Sequence, residues 1–234
     1  MMKLMKLEWQ KNHIGTYIRN AVILTASLCL FLFALAFWGI ANDPDGTLDA
    51  AEGMHVISAP IELFTGMAFL IFTGVMLSSF IVNAYKNKTM MLMFTYPIKR
   101  QKILVSQMLS VWIFNFIALA LAKLFIYGCV LIGSKSMQSP FLIDFQMGSL
   151  NFYIQLLLKS FVTISMSFIA LFVGMAMKSS KAVIVTSFLL ILLTQANIGD
   201  FSFAGNLAVP LVLTAASFLF AALTVFQVET KDLM

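Results

Sequence analysis

Three ionisable side chains, Glu62, Lys123 and Lys159, lie in or at the edge of long apolar runs. A cation in the middle of a membrane-spanning helix costs about 2.5–3.5 kcal/mol on insertion scales, so each needs an opposite charge, water or a route to the headgroups. One reading makes the three a polar lining of a pathway, with Glu62 paired to a lysine. The other lets both lysines snorkel to the outer headgroups, and as the more economical it is the expected one. Bond-breaking chemistry inside a membrane needs converging His, Asp, Glu or Ser groups. The apolar runs hold no His, no Asp and only Glu62 at an edge, and neither G-x-S-x-G nor H-E-x-x-H occurs. No catalytic residue is expected. His13 and His55 stand isolated on opposite sides, with no third ligand spaced for a metal.

The elements that would position these charges are dictated by composition. The chain is 61% hydrophobic and 11% charged, with 23 Phe and 16 Met, far from the balance of a soluble domain. Its 234 residues accommodate six spans of about 20 residues with short loops, leaving no room for a separate soluble catalytic domain. One integral membrane domain over 1–234 is expected. The N-terminal basic stretch contains Glu8, Trp9 and His13 and precedes an over-long apolar run, unlike a cleavable signal peptide. Cys29 and Cys129 both fall in predicted spans and read as small buried apolar residues rather than a disulfide or metal pair.

Hydropathy places spans at about 20–40, 61–84, 103–133, 150–177, 182–196 and 207–228. The third is longer than needed, hence tilted, kinked or partly interfacial. With the N-terminus inside, Lys3, Lys6, Lys11, Arg19, Lys86, Lys88, Lys99, Arg100, Lys102, Lys178, Lys181 and Lys231 are cytoplasmic, twelve of the 15 basic residues. Asp43, Asp45, Asp49, Glu52, Asp144 and Asp200 fall outside. The net charge of +5 is therefore a topology signal rather than a nucleic-acid footprint, and both termini are expected in the cytoplasm. Leu4, Leu7, Ile14 and Ile18 share one helical face, so residues 4–19 read as an interfacial helix leading into the first span. The plainer alternative is a basic flank with no defined helix. Ser160, Thr163, Ser165, Ser167 and Gly174 in the fourth span suit close helix packing.

Between the second and third spans lies a basic, proline-broken segment, 83–102. It carries five cations, Lys86, Lys88, Lys99, Arg100 and Lys102, and no carboxylate between the first and the last. Residues 85–94 can lie on the membrane as a short helix, Pro97 ends it, and the basic 98–102 run opens the next span. Thr89, Met93 and Tyr96 recur at i, i+4 and i+7, so one helical face presents them together.

This wording resembles the cytoplasmic coupling loop of ABC-2 type transporter permeases, in particular the small six-span members similar to bacitracin-resistance and lantibiotic-immunity permeases. The matching residues are Tyr85-Lys-Asn-Lys-Thr89, then Tyr96-Pro97, Arg100, and Ile103-Leu104. The order of elements matches over nearly the whole chain, while the specific wording covers about twenty residues of it. Ala84 and Met91 stand where acids are common in such loops, and Lys88 replaces the usual Gly; the helix–Pro–basic arrangement is retained.

The resemblance implies an all-α integral membrane protein with six transmembrane helices, an N-terminal amphipathic interfacial helix and a cytoplasmic coupling helix between helices 2 and 3. It implies an export subunit in the bacterial plasma membrane, moving an amphipathic peptide, lipid-like compound or antibiotic out of the cell. Tyr85, Lys86, Lys88, Thr89, Met93, Tyr96, Pro97 and Arg100 would form the coupling element. No G-x-x-x-x-G-K-[ST] loop occurs in the sequence. The chain would bind no cofactor itself, and ATP with Mg would sit on a separate ABC ATPase, present in two copies. A second permease subunit, identical or homologous, would complete the pathway, with membrane lipid around it and no nucleic acid. The alternative is a stand-alone channel, scramblase or assembly factor.

Overall fold

The computed structural model describes residues 2–12, 14–35, 58–82, 100–136, 145–177, 179–194, 197–198, 201–202 and 208–230. These form seven α-helices: α1 (Met2–Lys11), α2 (Ile14–Ala34), α3 (Ser58–Leu77), α4 (Arg100–Ser136), α5 (Leu150–Ala176), α6 (Ser180–Thr194) and α7 (Ala208–Thr230). A π-helical turn, Ser78–Val82, extends α3. Among the described residues there is also a minimal antiparallel ribbon, β1 (Asn197–Ile198) with β2 (Phe201–Ser202), in which Asn197 faces Ser202 and Ile198 faces Phe201. Its sequence signal is the two-residue Gly199-Asp200 step, typical of a hairpin connection.

Among the described residues, four helical segments are long and apolar enough to cross a membrane: Ile14–Ala34, Pro60–Val82, Gln101–Ser134 and Leu150–Ala176. Among the described residues, the predicted fifth and sixth spans correspond to shorter apolar segments, Ser180–Leu190 and Val212–Phe226. Helix α6 has 15 residues, about 22 Å of rise against a hydrocarbon core of about 30 Å. The described residues are thus largely helical and compatible with a multi-pass membrane protein, and among them four helices of membrane length stand where six spans were expected.

Boundaries moved for local reasons. The expected interfacial helix over 4–19 is divided: α1 ends at Lys11 and α2 already begins at Ile14. Hydropathy excluded Arg19 from the first span, but no proline stands between Ile14 and Arg19, Gly15 falls in the first turn where it is tolerated, and a lone Arg can snorkel. Helix α3 starts at Ser58 with Pro60 in its first turn, where proline's missing N–H has no intrahelical partner to lose. The Lys178–Lys181 break appears as expected. Ser179 N–H donates to Gly174 O at 3.1 Å, the six-to-one closure that ends many helices. The expected coupling segment, with Tyr85, Lys86, Lys88, Thr89, Met93, Tyr96 and Pro97, lies outside the described residues, and Arg100 is the first residue of α4.

Packing divides into two units. In the first (1–14, 69–116 and 161–234), α1 docks on the start of α4: Trp9 Nε1 donates to Ser110 O at 3.3 Å, and Gln107 Nε2 donates to Glu8 Oε1 at 3.2 Å. Trp112 stacks on Phe116, with ring centroids 5.4 Å apart, meets Phe161 edge-on, and donates to Ser165 Oγ at 3.3 Å. A Cβ on Gly174 would overlap the side chain of Val183, and one on Gly74 would overlap Ser187. These glycines let α5 and α3 each approach α6 closely. Gly174→Leu should therefore destabilise the protein by about 1–3 kcal/mol, read as a lower thermal midpoint of the purified protein. Gly128→Ala, where a Cβ meets nothing within 4 Å, is the matched control and should leave the midpoint in place.

The second unit (15–68 and 117–160) has a core of Leu32, Ile61, Ala120, Ile126, Tyr127, Val130, Phe145 and Leu156. Phe31 meets Phe64 edge-on at 5.1 Å, and Gly133 leaves room for the Phe33 ring. The thiols of Cys29 and Cys129, both free and half-buried, lie near each other. Nothing in their sequence spacing places them together.

Candidate functional site

The site lies in the second unit and starts from Lys123. This residue is the twelfth from the end of the Gln101–Ser134 segment, about 16 Å of helix rise inside it. Its side chain is 1% exposed, and its Nζ lies 2.6 Å from Glu62 Oε2. One turn further along α4, Tyr127 OH donates to Glu62 Oε1 at 3.4 Å. Lysine and tyrosine reach one carboxylate because positions i and i+4 share a helix face. Both oxygens of Glu62 are thereby engaged, so the carboxylate bridges α3 to α4. The Glu62 side chain remains 21% exposed, open to a cavity of about 400 Å³.

That cavity is lined by Ser58 and Glu62 from α3, Tyr127 from α4, Phe145, Gln146 and Ser149 before α5, and Asn151, Phe152, Gln155, Leu156 and Lys159 on α5. Asn151, Gln155 and Lys159 recur every four residues, giving one polar stripe along the first half of α5. An aromatic wall stands beside it. Tyr127 meets Phe145 at 4.8 Å and Phe152 at 5.1 Å, both near edge-on.

The two sequence readings divide between the lysines. Snorkelling fails for Lys123: its ammonium turns inward to Glu62 instead of outward to headgroups. Desolvating a lysine without a carboxylate would cost more than the pair does. Lys159 is exposed on α5 and lines the cavity. The structure thus brings Glu62, Lys123 and Lys159 into one neighbourhood. Sequence reasoning missed Tyr127, although its spacing from Lys123 was the available signal. It also missed the Asn151–Gln155–Lys159 stripe, legible from the same four-residue spacing.

The site holds charge and hydrogen-bonding groups without a nucleophile–base pair among the described residues. His13 and His55 lie outside those residues, and among the described ones no group of three His, Cys, Asp or Glu could hold a metal. Two of the fourth-span hydroxyls bond to the backbone of their own helix: Ser160 Oγ donates to Leu156 O at 2.7 Å, and Ser167 Oγ to Ile164 O at 2.6 Å.

The sequence matches no protein-family model, and no solved structure matches it. It is 25% identical over 237 residues to a Bacillus subtilis (strain 168) protein described as Uncharacterized protein YcbO, an alignment that spans 99% of this chain and 100% of that one.

Proposed function

We propose that this chain is the membrane-spanning permease subunit of an ABC exporter, moving an amphipathic compound outward at the expense of ATP hydrolysed on a separate subunit. The observation that carries the reading is the cavity against the Glu62–Lys123 pair, walled by three helices of membrane length. Ionisable groups held at such depth mark substrate or ion pathways. A chain that needed only to sit in lipid would gain nothing from a desolvated lysine, a carboxylate and a polar stripe facing one volume.

In this reading α6 and α7 serve as the fifth and sixth spans, and six spans make half a pathway. A second copy or a sister permease supplies the other half. The segment 83–102 is the handle gripped by the ATPase, supported by its helix–Pro–basic wording. The cation bias puts that segment and both termini in the cytoplasm, which places the Glu62 cavity toward the outer leaflet. Cysteines introduced singly at Asp45 and Lys88, in a background lacking Cys29 and Cys129, should label from opposite sides of the membrane. Labelling of both from outside would remove the six-span arrangement.

The same cavity would serve a stand-alone channel or scramblase, and the two readings separate on the motor. Full-length tagged chain, isolated in mild detergent from its own membranes, should bring with it a subunit that hydrolyses ATP. Isolation of the chain without ATPase activity, in a form still able to move lipid or solute, favours the stand-alone reading.

A further inference from the structure

Cys29 and Cys129 stand at matching depth in two helices of the second unit that pack together. Cys29 lies five residues before Ala34, the end of its membrane-length segment, and Cys129 lies five before Ser134, the end of its own. That is about 7.5 Å of helix rise in each. One turn further on, the same two faces meet: the Phe33 ring sits against Gly133, where an added Cβ would overlap it. The steps from 29 to 33 and from 129 to 133 are both four residues, so each cysteine shares a helix face with one side of that contact. Packing around the sulfurs is continuous. Leu32, Ile126 and Val130 are buried in one cluster, and Leu28, Cys29 and Leu131 pack against it. The register of α2 on α4 therefore sets the two thiols opposite each other, and both are free and near one another. A single thiol that meets a disulfide stops at a mixed disulfide, whereas a second thiol at the same level displaces the leaving group and closes a ring.

We propose that Cys29 and Cys129 form a reversible dithiol–disulfide pair, a modification site at which a disulfide-bearing oxidant staples α2 to α4. One cysteine thiolate attacks a sulfur of the oxidant, whose S–S bond breaks and whose other half leaves as a thiol. The second thiolate attacks the cysteine sulfur of that mixed disulfide, forms the Cys29–Cys129 bond and expels the remaining half as a second thiol. The two cysteines give up two electrons and two protons, and the oxidant takes both. The closed bond fixes α2 against α4 six residues from Lys123, and a dithiol reductant reopens it. With the orientation proposed above, this end of both helices is the outer one, the side on which disulfides persist. The chemistry itself depends neither on that orientation nor on an ATPase, so its failure and the failure of the exporter reading are visible in different experiments.

The test treats the full-length chain, reduced and reconstituted in nanodiscs, with one equivalent of dipyridyl disulfide, a probe that enters lipid. Both thiols should disappear together, with two pyridinethiones released per chain, no pyridyl group retained and an intact mass lower by two hydrogens. A dithiol reductant should restore both thiols. Cys29→Ser and Cys129→Ser should each stop at a stable pyridyl adduct on the remaining cysteine. Cys129→Ser/Gly128→Cys moves the thiol about 100° around α4, to a position where a Cβ meets nothing within 4 Å. It should keep its adduct and close more slowly than the parent by about tenfold or more, since the reacting sulfurs are no longer aligned. The proposal is overturned by a stable pyridyl adduct on the parent chain, or by both thiols remaining free. It is equally overturned by disulfides formed between chains in place of the internal one, or by a shifted thiol that closes as fast as Cys129.

Discussion

Glu62→Gln is expected to cost the folded protein about 3–5 kcal/mol, because it strands a desolvated ammonium. Lys123→Met is expected to cost less, although it breaks the same 2.6 Å ion pair. The asymmetry follows from exposure. Lys123 is 1% exposed and has no water to turn to, whereas Glu62 is 21% exposed and keeps Tyr127 as a donor. The double variant Glu62→Gln/Lys123→Met should recover most of the loss, because no unpaired charge remains inside. Thermal midpoints of the purified proteins, with the inserted amount of each, read all three. Additive single effects would show that the two side chains do not act as a pair. Export should follow the same order if the pair lines the pathway.

Met93→Asp/Tyr96→Asp should abolish stimulation of ATP hydrolysis while leaving membrane insertion intact. With Thr89 these residues recur at i, i+4 and i+7, so one helical face would carry two new carboxylates into an apolar contact with the motor. Lys99, Arg100 and Lys102 lie at the start of the next helix and would hold it to anionic headgroups, at about 1 kcal/mol per cation. Neutralising those three should disturb insertion or loop position instead. ATP hydrolysis by the co-isolated assembly and the amount of inserted chain separate the two outcomes.

The membrane-length helices were legible because hydropathy integrates over some twenty residues and tolerates local error. The span predicted at 150–177 matches α5 (Leu150–Ala176) nearly residue for residue, since Ser149 and the 178–181 tetrad bound it with polar groups on both sides. The division after Lys11 was obscured by the apolar stripe that runs across it, although Asn12 and Gly15, both weak helix formers, stand at the break. At the site, charge complementarity pointed to Glu62 with a lysine, but sequence spacing cannot decide between partners 61 and 97 positions away. That choice is made by which helix face α4 turns toward α3, and the same rotation brings in Tyr127. The proximity of Cys29 and Cys129 is of the same kind: a contact between helices that carries no local signature.

A photoreactive residue placed at Tyr96 in the full-length chain tests the coupling of this protein to a separate motor most directly. On illumination in native membranes it should form an adduct with a subunit that carries an ATP-binding P-loop. The adduct should fade in the presence of Met93→Asp. Adducts to lipid or to further copies of the chain alone, in membranes where the protein is functional, would contradict the account.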